Sequence, residues 1–250
     1  MSTITIGFAE SKPNKRLIKS VQKIIAEQQS ATDAPNIVGG TTQEKLSIGS
    51  RFKAPILTAP IDLADLDPST VFQYSLIENT KEEIPDDTQL FIVDIGKIYK
   101  YARSIESLLK QITKKSALLL LNPKADGFPH IILKYDGTPV SSASILAFPQ
   151  LFPAAVETAE KITLISPVTF KKSQIAIEKQ FVKTATQYYR DLGFIKLPLN
   201  TVNDFFLYAE QNRINLLILS KHDLSDTIKL IGTKEFSEKL KKMELSVFIA

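Results

Sequence analysis

The fold is decided by one continuous stretch: residues 131–152 read IILKYDGTPVSSASILAFPQLF. A predicted strand ends in Asp136, and the chain turns at Gly137-Thr138-Pro139 before small and apolar residues continue at helical spacing. Proline is well tolerated in the first turn of a helix, and small polar residues cap one. The stretch therefore predicts a buried strand, a tight turn and a helix.

The same alternation of strand and helix continues downstream of this stretch. Apolar residues three and four apart mark the helices, and short unbroken apolar runs mark the strands. Strands are predicted at residues 131–135, 161–166, 194–197, 214–219 and 245–249, and helices at 140–151, 173–190, 203–211 and 234–242. On the long helix, we expect Ile177, Phe181, Ala185 and Tyr188 or Tyr189 to face the core. Strands that alternate with helices favour a parallel sheet covered on both faces.

Upstream, the pattern recurs less completely around a polar segment at residues 30–53. Strands are predicted at residues 3–8, 54–61, 90–93 and 117–121, and helices at 13–28, 67–79 and 105–112. Three strands of the first half align with strands of the second half at offsets of 126 to 128 residues. We therefore predict two tandem α/β units, residues 1–127 and 128–250, joined through the Pro- and Gly-containing segment 122–129.

The composition excludes several classes of protein. The chain has no cysteine and 2 histidines, which excludes a disulfide framework, a thiolate metal site and a histidine-rich metal cluster. Lys and Arg number 31 against 27 Asp and Glu, and the basic residues are scattered, so no nucleic-acid partner is expected. No apolar stretch reaches the ~18–20 residues of a membrane span, and residues 1–9 have no signal-peptide pattern. We expect a cytoplasmic protein without membrane contact.

Residues 131–152 resemble the first strand, turn and helix of the universal stress protein family, whose first strand ends in a similar Asp-Gly-Ser turn. The letters LFP at 151–153 resemble the tandem members common in Bacteroidetes-type bacteria. The resemblance implies two flavodoxin-like (adenine nucleotide alpha hydrolase-like) units, each a parallel-rich sheet with helices on both faces. It also implies an intrachain pseudo-dimer in which the last strands, 117–121 and 245–249, pair and remove two exposed edges.

The resemblance further implies a nucleotide site in the second unit. In the family, the aspartate after the first strand contacts the adenosine part of ATP. A loop after the fourth strand, G-x-x-G followed by about nine residues and G-[S/T], wraps the phosphates with bare backbone. Asp136 stands at the first position, and Gly232-Thr233 match the closing pair when one residue is dropped. Ser220 and Asp223 replace the two leading glycines.

These replacements predict that ATP binding is lost. Side chains block the close approach that glycine allows, and Asp223 would repel a phosphate by ~1 kcal/mol at about 4 Å in water. Lys221 or Lys229 could offset that charge. In the first unit Ala9 replaces the aspartate, and only Gly96 remains after the fourth strand, so that site is expected to be lost too.

If nucleotide binding is kept, the candidate residues are Asp136, Lys221, Gly232 and Thr233. No catalytic or metal-binding residue is predicted. His222 beside Asp223 has no third ligand in view, and G-x-S-x-G, the nucleophile-elbow pattern, is absent. Asp136 also has a structural alternative, as a cap of the following helix.

We therefore expect a non-enzymatic binding or regulatory protein of the stress-response type, without a cofactor, whose partner is an unidentified protein or small molecule. Two alternatives stay open. One is an ATP-binding, weakly hydrolysing protein that uses the second unit's pocket. The other is a protein-interaction scaffold that uses residues 30–53. The sequence leaves open whether whole chains form homo-oligomers.

Overall fold

A computed structural model describes residues 5–8, 16, 17, 19–21, 23, 24, 88–99, 113, 116–168, 172–240 and 242–250. The strands in this part are β1 (Thr5–Phe8), β2 (Thr88–Asp94), β3 (Ala117–Leu121), β4 (His130–Lys134), β5 (Lys161–Pro167), β6 (Gly193–Leu197), β7 (Leu216–Leu219) and β8 (Ser246–Ile249). They form one sheet in the order β1-β2-β3-β8-β7-β4-β5-β6. The expectations for residues 30–53, 54–61, 67–79 and 105–112 lie outside the described residues.

Helices cover both faces of the sheet. Their bounds are α1 (Pro139–Leu151), α2 (Pro153–Thr158), α3 (Lys172–Ala185), α4 (Val202–Asn212), α5 (Leu224–Ile231) and α6 (Lys234–Leu240). Short 3₁₀ turns cover Ile95–Lys97 and Lys221–Asp223. The described residues between 16 and 24 are helical, as the pattern of residues 13–28 predicts. The mostly parallel α/β class expected from the sequence is confirmed.

Strands β4 to β8 form a five-stranded parallel array in the order β6-β5-β4-β7-β8. Numbered within this array, the order is 3-2-1-4-5. The chain therefore winds outward from β4 in one direction, and then crosses back to place β7 on the other side of β4. The reversal is a topological switch point between β4 and β7, and open α/β sheets bind their ligands at the carboxyl ends of the strands there; this place is called the crevice below.

The two parts of the chain meet at an antiparallel strand pair. Strands β1, β2 and β3 are parallel to one another, whereas β3 pairs with β8 in the opposite direction. Leu118, Leu119 and Leu120 lie opposite Ile249, Phe248 and Val247. This is the pairing of last strands that the family resemblance implied. It gives each strand a neighbour on its otherwise free side.

Two apolar layers, one on each face, run through this junction without a break. Leu118 and Val247 belong to the layer that contains residues of α4, α5 and α6. Leu119 and Phe248 belong to the layer that contains residues of α1 and α3. Successive strand residues alternate between the layers, as the pleat of a sheet requires. Each layer therefore includes residues from both parts of the chain.

Helix α3 differs from its sequence prediction at one inward position, because Ile177 is 57% exposed. The helix ends at Ala185, and of the two alternatives beyond it, Tyr189 is buried and Tyr188 is exposed, so the expectation that one of them faces the core is met. The inward position next to Ile177 is taken by Glu178, which is 2% exposed. A pattern of apolar residues predicts that a hydrophobic side chain is buried. It does not predict a carboxylate that is buried because other side chains bind it.

The connecting segment after β3 is packed rather than extended into solvent. Asn122 Nδ2 donates to the carbonyl oxygens of Leu240 and Met243 at 3.1 and 2.6 Å. Its backbone N donates to Ser246 Oγ at 3.0 Å. Gly127 has a φ of +143°, a conformation that L side chains rarely adopt. The segment therefore fixes the end of β3 against the start of β8.

Candidate functional site

Asp136 follows β4 and organises the turn into α1. Its Oδ1 accepts hydrogen bonds from Thr138 N at 2.9 Å and from Thr138 Oγ1 at 2.6 Å. Thr138 in turn is the N-cap of α1, because its Oγ1 accepts from Ser141 N at 3.1 Å. Between them, Gly137 has a φ of +82°, which glycine adopts without strain. The carboxylate thus serves the cap of α1 through Thr138, close to the structural alternative left open by the sequence.

The hydrogen bonds of Asp136 favour its charged form. Burial acts to raise the pKa of this carboxyl, but hydrogen bonds from Ser141 and Thr138, with the charge of Lys134, outweigh it and hold the pKa below its usual value of 3.8. A group whose pKa is lower in the folded state stabilises the fold above its unfolded-state pKa. That contribution is lost as the pH falls through the folded-state pKa.

This sign gives a testable pH dependence. The difference in free energy of unfolding between the wild-type chain and Asp136→Asn should be constant near neutral pH and should shrink from about pH 4 downward, because the wild-type carboxyl is then protonated. Urea unfolding followed by far-UV circular dichroism at a series of pH values measures the difference. A difference that stays unchanged down to about pH 2 would contradict the assignment.

Across the crevice, β7 runs into a tight turn at Lys221–Asp223. Asp223 Oδ2 accepts hydrogen bonds from Ser220 N at 3.0 Å and from Ser220 Oγ at 2.9 Å. The backbone N of Asp223 donates to Ser220 O at 3.0 Å. Positions 220 and 223, which are glycines in the family pattern, are therefore bound to each other. The turn contacts α1, so it lies beside the turn formed by Asp136.

The remaining carboxylate oxygen of Asp223 holds Lys134, the last residue of β4. Lys134 Nζ lies 2.5 Å from Asp223 Oδ1, and both side chains are 11% exposed. The Phe205 ring of α4 has its centroid 5.8 Å from the same nitrogen. Breaking a buried ion pair by removing one partner is strongly destabilising, because the other charge stays buried without compensation. The crevice between β4 and β7 thus contains an internal ion pair.

This ion pair has only a weak signal in the sequence. Lys134 interrupts the apolar run of β4, which is a weak signal that an inward lysine needs an acidic partner. Its partner lies 89 positions further along the chain, and only the parallel pairing of β4 with β7 brings the two together.

On the opposite face of the sheet, a second polar network lies at the ends of β5 and β6. Glu178 of α3 accepts a hydrogen bond from Ser166 Oγ and pairs with Lys196, whose Nζ lies 2.7 Å from Glu178 Oε2. Beside it, the Tyr135 ring stacks on Phe181 with centroids 4.6 Å apart. Desolvation and the charge of Glu178 raise the pKa of Tyr135 despite a hydrogen bond with Ser142. The Tyr135 phenol is therefore neutral at physiological pH.

The other candidate nucleotide-binding residues are not all at this crevice. Lys221 lies in the turn after β7 and is partly exposed. Gly232 ends α5, and Thr233 Oγ1 donates to Leu230 O at 2.9 Å. At ~1.5 Å per residue, the end of α5 lies about 12 Å along the helix from its start beside β7. The structure thus brings Asp136 and Lys221 to one edge and places Gly232 and Thr233 at the far end of α5.

Lys229, the other lysine that could offset the charge of Asp223, forms an ion pair with Asp226. Its Nζ lies 3.3 Å from Asp226 Oδ1, and both side chains are 69% exposed. Lys229 is thus paired on the surface of α5, whereas Asp223 pairs with Lys134.

The corresponding edge of the first part is described only in part. Asp94 ends β2, and its Oδ1 accepts a hydrogen bond from Gly96 N at 2.9 Å. A Cβ at Gly96 would lie 3.3 Å from that oxygen, so the glycine gives the carboxylate room. The contact with Asp94 therefore explains locally why position 96 is a glycine. Ala9 lies outside the described residues.

A shallow cavity lies at the other end of the sheet, near the start of β7. Its volume is about 340 Å³, and Glu210, Arg213, Asn215 and Lys242 contribute to its lining.

Among the described residues, no cluster of three His, Asp or Glu side chains is placed to hold a metal ion. The described helices include none that is long and apolar enough to cross a membrane.

Comparison with known proteins gives distant structural neighbours. No protein-family model matches the chain, and no curated protein sequence matches it. A universal stress protein in complex with cAMP is 15% identical with a TM-score of 0.36, covering 50% of this chain and 97% of that one. A universal stress protein from Archaeoglobus fulgidus DSM 4304 is 9% identical with a TM-score of 0.40, covering 65% of this chain and 60% of that one. Values this low do not assign a function to the chain.

Proposed function

We propose that the chain is a universal stress protein-like binding or regulatory protein of two tandem units that has lost ATP binding and has no enzymatic activity. Its partner in this proposal is a protein or a small molecule other than a nucleotide, and its location is the cytoplasm. The proposal rests on the residues of the strand–turn–helix stretch, on the strand order and on the contents of the crevice.

The order of the strands supports the tandem arrangement. Read outward from the junction, one side runs β3, β2, β1 and the other runs β8, β7, β4. In each case these are, by position along the chain, the last strand, the one before it, and the first described strand of that part. Strands are parallel within each part and antiparallel across the junction, as they are when a twofold axis relates two copies of one unit.

The Lys134–Asp223 ion pair is the single observation that carries the proposed loss of ATP binding. In the family pattern, position 223 is a glycine whose bare backbone approaches phosphate. Here its carboxylate turns back to Ser220 N and Oγ and to Lys134 Nζ. A triphosphate at this turn would have to displace the carboxylate and leave it beside the phosphates, where like charges repel most strongly because screening is weak.

The proposed absence of enzymatic activity also rests on side chains that are bound to neighbouring groups of the protein. Four of the ionisable side chains at or beside the carboxyl ends of β4, β5 and β7 are Asp136, Asp223, Glu178 and Tyr135. The three carboxylates accept hydrogen bonds from neighbouring side chains or backbone, and Tyr135 is stacked and buried. A general acid or base must be within reach of a substrate proton, and these groups already serve internal partners.

Calorimetric titration with nucleotide tests the proposal. We expect the wild-type chain to give no saturable heat with Mg-ATP up to about 5 mM, which corresponds to a binding free energy weaker than ~3 kcal/mol. Titration of Mg²⁺ alone serves as the blank. Saturable heat that disappears in Asp136→Ala would instead support the ATP-binding alternative.

A further inference from the structure

We propose that Asp126-Gly127, in the segment that connects the two parts of the chain, is a site of spontaneous covalent modification at which the main chain is rerouted through the Asp126 side chain. The second Asp-Gly pair of the chain, Asp136-Gly137, is protected by its hydrogen bonds. The inference goes beyond the proposed function and does not depend on it.

The modification needs only these two residues and water. The backbone nitrogen of Gly127 attacks Cγ of the protonated Asp126 carboxyl, so that a C–N bond forms and one water leaves with the proton of the nitrogen and the hydroxyl of the carboxyl. The product is a five-membered cyclic imide. Water then attacks the main-chain carbonyl carbon of the imide, and the C–N bond at that carbon breaks. The result is an isoaspartyl residue, whose main chain runs through Cβ and Cγ and whose former main-chain carbonyl is a free carboxylate. A following glycine favours the ring closure because it has no Cβ to shield its nitrogen.

Few contacts restrain Asp126 and Gly127 in the part of the chain that the structure describes. The Asp126 side chain is 89% exposed, and its ion pair there is with Lys23, whose Nζ lies 3.7 Å from Oδ1 and whose side chain is 48% exposed. An exposed pair of this kind contributes little, so it does not hold the carboxyl away from the backbone. Gly127 N donates no hydrogen bond to a described residue, and a Cβ placed on Gly127 would meet nothing within 4 Å. The carboxyl therefore has room to turn onto the Gly127 nitrogen.

Asp136-Gly137 consists of the same two residues without the same freedom. Asp136 is partly buried, and its Oδ1 accepts from Thr138 N at 2.9 Å and from Thr138 Oγ1 at 2.6 Å. Turning this carboxyl onto Gly137 N would break the bonds that fix the start of α1. The same bonds hold the pKa of Asp136 below its usual value, which reduces the protonated form that the reaction requires.

The modified residue would lie between two anchored ends of the connecting segment. Upstream, Asn122 is bonded to the residues before β8, and Ser20 Oγ donates to Pro123 O at 3.2 Å. Downstream, Phe128 is buried. Rerouting adds one atom to the main chain, and because both ends are anchored, we expect the extra atom to change the path of residues 125–127 rather than the positions of β3 and β4. The connection between the two parts would thus change with time while the mass of the chain stays the same.

Ageing of the folded chain followed by peptide mapping tests this inference. Trypsin cleaves after Lys124, Lys134 and Lys161, so the two Asp-Gly pairs fall in separate peptides, 125–134 and 135–161. After several weeks at neutral pH and physiological temperature, we expect isoaspartate in peptide 125–134 at about ten times the level in peptide 135–161 or more, because the second pair reacts only through local opening. Electron-transfer fragmentation identifies isoaspartate, and an unaged sample digested in parallel corrects for isoaspartate that forms during digestion.

Three controls separate the effect of the structure from that of the sequence. In urea, both pairs should react at comparable rates, since the hydrogen bonds of Asp136 are lost. Asp126→Glu keeps a carboxylate near Lys23 but needs a six-membered ring, which closes far more slowly, so its peptide should stay unmodified. Thr138→Ala removes one donor to Asp136 and should increase isoaspartate in peptide 135–161 while leaving peptide 125–134 unchanged.

Similar isoaspartate levels in the two peptides of the aged, folded chain would overturn the inference, as would the absence of isoaspartate from peptide 125–134. If Thr138→Ala leaves peptide 135–161 unchanged, the assigned protection of Asp136 is wrong. The ATP titration is a separate readout, so failure of the proposed function is distinguishable from failure of this inference.

Discussion

Replacing Lys134 by methionine is expected to lower the free energy of unfolding by about 3–5 kcal/mol. The substitution keeps the length and the apolar stem of the side chain but leaves the Asp223 carboxylate buried without its cation. Ser220 N and Oγ still donate to one carboxylate oxygen, but the other loses its contact with Lys134 Nζ. Urea unfolding followed by far-UV circular dichroism gives the difference.

The control for this prediction is Lys229→Met, which breaks the exposed ion pair with Asp226 and should cost no more than ~1 kcal/mol. The double variant Lys134→Met/Asp223→Asn removes both charges but keeps a side-chain oxygen that accepts from Ser220, and it should regain most of the loss, because it is the unpaired charge that destabilises. A loss below about 1 kcal/mol in Lys134→Met would show that the pair is not buried as described.

Phe248→Ala is expected to have an effect of similar size, about 3–5 kcal/mol, through loss of packing rather than charge. Phe248 is fully buried in β8 and lies opposite Leu119 of β3. Its ring packs edge-on against Phe148 and Phe152, with centroids 5.2 and 6.1 Å away. Truncation to alanine leaves a cavity in the apolar layer that both parts of the chain share.

The matched control is Phe194→Ala, because Phe194 of β6 is 39% exposed, and its loss should cost about 1 kcal/mol or less. The unfolding curve gives a second readout. Since both apolar layers run through the junction, we expect one cooperative transition in wild type and in Phe248→Ala. Two separated transitions in the wild-type chain would show that its two parts unfold independently.

Much of this fold was predictable because the pattern of apolar residues carries it. The buried strands 117–121 and 216–219 are unbroken apolar runs, and the helix after Pro139 combines a turn with an N-terminal proline. Helices α2 and α5 were missed because each is short and follows another element almost without a gap. The eight residues of α5 were compared with a phosphate loop, although Leu224, Ile228 and Ile231 have helical spacing.

The site was predictable in position but not in content. The end of β4 and the turn after β7 could be inferred, because strand order places ligands where the chain reverses. The buried ionic groups at this site could not be inferred from the sequence. Lys134 and Asp223 are distant in sequence, and Glu178 occupies an inward position where the apolar pattern favoured Ile177. Ion pairs of this kind depend on which strands become neighbours, and a single sequence does not encode that in any local pattern.

The antiparallel pairing of β3 with β8 has a geometric consequence for partners. Because the strand direction reverses there, the carboxyl ends of β1 and β2 point to one pole of the molecule, and those of β4 and β7 point to the other. A single compact ligand cannot bridge the two poles. Two partners bound at the two poles would be separated by about the length of one strand. They would therefore lie at opposite edges of the same sheet.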